Sequence, residues 1–155
     1  MPKLFALSLL ALCLHACQPE GKPIAEKSSQ PELQGTWKLV SGTLVEKGDT
    51  TVTRYTGDTS FIKVINASHF AFFLHDLKQG KDSTAAFSAG GGRYTLVNDQ
   101  YTEHLEYCSA RNWEGHDFTF TVTIRNDTLI QQGVEKIEKE GIDRLNIETY
   151  VRASK

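Results

Sequence analysis

From Leu33 onward the chain alternates apolar and polar residues in short runs of period two. The clearest is Phe118-Thr119-Phe120-Thr121-Val122-Thr123-Ile124, which puts Phe118, Phe120, Val122 and Ile124 on one face and three threonines on the other. That is the pattern of a strand buried on one side. Runs of the same kind, rich in β-branched and aromatic residues, predict strands over Thr36–Gly42, Thr51–Tyr55, Phe61–Ile65, His69–Leu74, Arg93–Val97, Gln100–Tyr107, Phe118–Arg125, Thr128–Gln132 and Arg144–Arg152. Turn-forming groups separate them: Lys47-Gly48-Asp49, Thr56-Gly57-Asp58, Asn66-Ala67-Ser68, and the two-residue connections Asn98-Asp99 and Asn126-Asp127. Only Ser109 to Gly115 leaves room for a turn or two of helix. Consecutive hairpin-linked strands predict an all-β fold, an antiparallel up-and-down barrel of about 8–10 strands, because closure removes the exposed sheet edges.

Alternation also assigns faces. In the first strand Trp37, Leu39 and Ser41 oppose Thr36, Lys38 and Val40. Over Gln100–Tyr107 it groups Tyr101, Glu103, Leu105 and Tyr107 as the inward set, with Thr102, His104 and Glu106 outward. The Asn98-Asp99 turn pairs this strand with Arg93–Val97 and so places Tyr94 beside Glu103. Glu103 is then a carboxylate among aromatics, which must find partners or neutralise. It is either a ligand-orienting or acid–base group, or one half of a structural ion pair with an arginine such as Arg93 or Arg111. In the last strand plain alternation turns Leu145, Ile147 and Val151 inward.

The first 32 residues read differently. Lys3 precedes an apolar run, Leu4 to Leu14, of about 11 residues, shorter than the roughly 18 needed to cross a bilayer. The segment therefore reads as a secretion signal, residues 1–16. Residues 17–32 hold Pro19, Gly21, Pro23, Ser28, Ser29 and Pro31 and no apolar period, which predicts a flexible tether about 20 Å in reach. The remaining residues, 33–155, are enough for one barrel domain with a single core.

Charge narrows the function classes. The chain carries 17 basic and 19 acidic side chains, a net charge of −2, with the signs interspersed. No basic patch supports nucleic-acid binding. Ala89-Gly90-Gly91-Gly92 runs into a strand instead of a helix, so it reads as a bend or bulge and not as a phosphate loop. His69 and His75 are too far apart along one strand to share a metal, and no metal or other cofactor is expected. No Gly-x-Ser-x-Gly elbow is present either.

Several short motifs carry a resemblance. Leu14-His15-Ala16-Cys17 resembles the lipobox of bacterial lipoproteins, in which the cysteine is lipidated and becomes the mature N-terminus. The alternative is an ordinary secretory signal cut after Ala16. Gly35-Thr36-Trp37-Lys38-Leu39-Val40-Ser41, Ser68-His69-Phe70, Gly91-Gly92-Arg93-Tyr94-Thr95-Leu96, Tyr101-Thr102-Glu103 with Leu105-Glu106-Tyr107, and Glu148-Thr149-Tyr150-Val151-Arg152 together resemble a family of lipocalin-like (calycin) lipoproteins of unknown function, common in Bacteroidetes. The resemblance implies a calycin-type barrel lipidated at Cys17, and a bacterial cell-envelope location, the outer membrane above all. It implies that Arg152 packs across Trp37 at the closed end, and that Glu148, Tyr150 and Arg152 face inward, against plain alternation.

The reading that follows is a cell-envelope lipoprotein whose barrel holds a small apolar or amphipathic molecule, lined by Tyr94, Tyr101, Glu103, Tyr107, Phe118, Phe120, Glu148 and Tyr150. Its expected partners are that ligand and the membrane reached through the lipid. The alternatives are a small barrel enzyme using Glu103 and a tyrosine for proton transfer, or an envelope interaction module with a filled core. A cavity of about 300 Å³ or more would favour the first two.

Overall fold

The computed structural model describes residues 33–153 apart from Thr56. Residues 1–16 and the tether with Cys17 lie outside the described residues. Nine strands follow one another: β1 (Gly35–Glu46), β2 (Asp49–Arg54), β3 (Thr59–Ile65), β4 (His69–Asp76), β5 (Phe87–Val97), β6 (Gln100–Cys108), β7 (His116–Arg125), β8 (Thr128–Ile137) and β9 (Ile142–Arg152). Single 3-10 turns at Arg111–Trp113 and Glu138–Glu140 are the helical content of the described residues. β1 pairs antiparallel with both β2 and β3, each strand from β3 onward pairs antiparallel with the next, and β9 returns to β1, so β1 and β3 to β9 close an eight-stranded barrel. The first half of β1 pairs with β3 and its second half with β2, which hangs on the barrel as an extra strand.

The asparagine turns form as the sequence predicts: Asn98 and Asn126 take left-handed φ values of 58° and 53°, a conformation asparagine tolerates. Strand ends differ from the alternation pattern where it fades. β1 runs on to Glu46, β8 to Ile137, and β5 begins at Phe87, so the glycine run lies inside a strand. At Gly90, opposite Phe72, a Cβ would come within 2.5 Å of the Phe72 ring, so the missing side chain is the space that ring occupies.

Two bulges reset the faces. Gly91 pairs with Tyr107 but Gly92 with Leu105, leaving Glu106 as an extra residue in β6. Tyr107 is therefore turned out and 69% exposed, which corrects its inward assignment; Cys108 faces the interior in its place. A second irregularity, between Leu39 and Ser41 on the β1–β9 edge, sends Ser41 outward and brings Gly42 and Leu44 in. β9 itself stays regular. It buries Asn146 and Tyr150 and turns Glu148 inward, while Val151 is exposed, so plain alternation of its apolar residues fails there.

One end of the barrel is plugged. Leu33, Trp37, Leu39, Ile65, Phe70, Tyr101, Leu129 and Tyr150 are buried together. The Trp37 indole Nε1 donates to the Leu33 carbonyl at 2.8 Å, and the Arg152 guanidinium lies 4.2 Å from the ring centroid. Arg152 also donates to the Gln34 carbonyl at 3.0 Å. Gly35 is required beneath it: its φ is +140°, and a Cβ there would stand 2.6 Å from Arg152 Nη1.

Candidate functional site

Above the plug the interior opens into a cavity of about 280 Å³. Its walls are Phe61 of β3, Phe72 of β4, Leu105 of β6, and Phe118 and Phe120 of β7, with Tyr55, Leu44 and Trp113 nearer the rim. Alternation explains Phe72, Leu105, Phe118 and Phe120, each an inward residue of its strand. What alternation does not explain is the set of charged and amide side chains among them. Lys63, Glu103, Gln131, Glu135, Arg144, Asn146 and Glu148 also line the cavity.

Lys63 is the centre of this set and is 2% exposed. Its Nζ donates to Glu103 Oε1 at 2.8 Å and to Gln131 Oε1 at 3.1 Å, and stands 3.7 Å from Glu148 Oε2. It also lies 5.3 Å from the Tyr150 ring centroid and 5.9 Å from that of Phe70. Burial by itself would lower the lysine pKa, but Glu103 and Glu148 outweigh it and hold the ammonium above its ordinary value. Burial pushes the Glu103 carboxyl up, against the pull of Lys63 and with the help of Glu148. The cluster thus keeps its cation charged and makes Glu103 reluctant to ionise.

A second group adjoins it. Glu135 accepts from Asn146 Nδ2 through Oε1 at 2.8 Å and from Arg144 Nε through Oε2 at 2.7 Å. The Arg144 guanidinium in turn lies 5.1 Å from the Trp113 ring centroid. Glu148 Oε2 accepts from the Tyr150 hydroxyl at 2.7 Å. Burial, followed by Glu148, raises the Tyr150 pKa well above its ordinary value, and Tyr101 is raised by burial followed by Glu103. The Tyr101 hydroxyl is buried without a hydrogen bond of good geometry among the described residues.

Of the residues singled out in the sequence, Glu103, Phe118, Phe120 and Glu148 meet at this cavity. Tyr101 and Tyr150 are buried but belong to the plug, and do not line the cavity. Tyr94 pairs with Glu103 across strands as expected, yet its hydroxyl donates to the Asn66 carbonyl at 2.8 Å and its ring packs on Tyr101 at 5.1 Å. Tyr107 is outside. Neither arginine expected beside Glu103 is there: Arg93 pairs with Glu106 at 2.6 Å and Arg111 with Glu114 at 2.9 Å, both on the surface. Lys63 takes that place. Its signal is present, since Phe61, Lys63 and Ile65 share a face; but Ile62 and Val64 on the other face are equally apolar, and alternation cannot choose between them.

No family model matches the chain, and no curated protein matches it in sequence. Among solved structures, it is similar to an uncharacterized protein from Bacteroides eggerthii DSM 20697, with 12% identity and a TM-score of 0.47, covering 79% of this chain and 100% of that one. The fold is defined by the strand register itself. The chain is a closed antiparallel barrel with a plugged end, a walled cavity and a buried ion cluster.

Proposed function

We propose that the protein is a lipocalin-like lipoprotein of the bacterial cell envelope, anchored through Cys17, whose barrel holds a small apolar or amphipathic molecule. The cavity carries this reading. At about 280 Å³ it falls just below the roughly 300–1,000 Å³ of small-molecule sites, room for a small ligand only. Its make-up also fits, with aromatic walls and a few convergent polar groups. The acid–base alternative has less support. It needs a tyrosine hydroxyl beside Glu103 in the cavity, and Tyr55 is the tyrosine among the described residues that lines it. The filled-core alternative needs the interior occupied by side chains, and the cavity argues against that.

The test is native mass spectrometry of protein purified from its own host, with binding of the neutral fluorophore N-phenyl-1-naphthylamine measured on the emptied barrel. A retained small molecule, or uptake of the probe that Ala110→Trp at the cavity rim abolishes, is the expected result. A folded barrel that carries no small molecule and takes up no probe overturns the reading.

A further inference from the structure

Acidic side chains outnumber basic ones in the lining of the cavity. Two cations, Lys63 and Arg144, face three carboxylates, Glu103, Glu135 and Glu148. Both cations are engaged. Lys63 directs its ammonium at Glu103, Gln131 and Glu148, and Arg144 places Nε and Nη2 on Glu135 at 2.7 Å while its guanidinium faces Trp113. An anion in the cavity would find neither one open to it. The carboxylates are less fully used. Both Glu135 oxygens accept hydrogen bonds, but at Glu148 the Tyr150 hydroxyl and the Lys63 ammonium converge on Oε2, leaving Oε1 with no partner among the described residues. Glu148 is also the most open of the three, with its side chain 15% exposed against 9% for Glu103 and 10% for Glu135.

Aromatic rings line the same cavity as Glu148. Glu148 raises the Tyr55 hydroxyl pKa, second to burial, so its charge reaches the cavity rim. Tyr55 meets Phe61 edge-on at 5.8 Å, and Phe61 stacks on Phe72 at the same distance. Ring faces around a surplus carboxylate attract cations that have shed water. The protein's own cations already use the interior this way, Lys63 against Phe70 and Tyr150 and Arg144 against Trp113. We infer that the cavity selects an organic cation, a protonated or quaternary amine on a small apolar body, with its head at Glu148 and the Tyr55–Phe61–Phe72 wall. This rests on the proposed binding role and deepens it.

The test is calorimetric binding of three probes of similar shape to the emptied barrel: benzyltrimethylammonium, its neutral isostere neopentylbenzene, and the anion phenylacetate. The cation is expected to bind at least about tenfold more tightly than the neutral probe, and phenylacetate not at all. Glu148→Gln should abolish that preference while the neutral probe binds as before. Tyr55→Leu, which leaves the hydrogen bonds and ion pairs of Lys63 in place, should reduce the preference severalfold even if the glutamine variant fails to fold. Equal affinity for the cation and the neutral probe, or tightest binding of phenylacetate, overturns the cation inference and leaves the binding role standing. Binding of none of the three overturns the cation inference, and the binding role then falls too if N-phenyl-1-naphthylamine is not taken up.

Discussion

Lys63 gathers the polar groups of the interior, and its removal exposes what it offsets. Lys63→Met would leave Glu103 and Glu148 buried with no cation between them. Removing one partner of a buried pair costs about 3–5 kcal/mol, because the remaining charge has lost its hydration and its counterion. Chemical denaturation should show a loss of that size, partly recovered when Glu103→Gln is added. A loss below 1 kcal/mol would mean that Lys63 does not hold the carboxylates. The cluster also sets a pH dependence. The Glu103 carboxyl is raised above 4.5 in the folded state, so the folded chain binds more protons than the unfolded chain between 4.5 and the raised value. The stability Glu103 contributes is fully present below 4.5 and is lost as pH rises through its folded pKa. Asp76 has the opposite sign. The backbone N–H groups of Gly80, Ala86 and Lys78 lower its carboxyl below 3.8, so its contribution is present above 3.8 and is lost as pH falls through the lowered value. Denaturation curves from pH 4.5 to 8 should therefore show a decline toward alkaline pH that Glu103→Gln flattens. An unchanged slope in that variant would sink the assignment.

At the scale of elements, the barrel is held shut where β1 meets β9. Trp37 pairs with Arg152 across that seam, and Arg152 covers the indole while donating to the Gln34 carbonyl. A desolvated cation–π contact is worth about 2 kcal/mol, and the arginine stem adds apolar cover. Its side chain is 32% exposed, which reduces the electrostatic share. Arg152→Ala should cost about 1–2 kcal/mol, lower the melting temperature by several degrees and shift Trp37 emission, read with Trp113 replaced by Phe. An unchanged melting temperature would show that the seam closes without the arginine. The two bulges belong to this scale as well. An extra residue at Glu106 turns Tyr107 out, and the slip at Val40 trades Ser41 for Gly42 and Leu44 on the inner wall. One-residue shifts of this kind invert every later side chain of the strand.

For the molecule as a whole, the proposed anchor and the barrel are separable. The Leu14-His15-Ala16-Cys17 motif and about 15 tether residues precede Leu33 in sequence, and a flexible chain of that length has a reach of about 20 Å. Cys17→Ala is therefore expected to move the protein from the membrane fraction to the soluble one with its melting temperature unchanged. Membrane partition that survives this substitution would sink the lipid anchor.

The sequence by itself determined the strands and the way they close. Period-two alternation over Phe118–Ile124, asparagine turns that accept positive φ, and consecutive hairpins leave few options besides an antiparallel barrel, because these are local preferences and edge closure is a general requirement. It also placed Trp37, Phe118, Phe120 and Glu103 on the inner wall, where alternation and composition agree. The tertiary structure decided the rest. Whether Lys63 or Val64 faces inward depends on which side of an apolar run meets the other strands. The partner of Glu103 comes from a strand 40 positions away in the chain, beyond any local pattern. A β9 that reads as apolar on Leu145, Ile147 and Val151 instead turns Arg144, Asn146 and Glu148 to the interior, because Glu135 and Lys63 are there to meet them. Burying a charge is costly alone and tolerable in company, and only the closed barrel brings the company together.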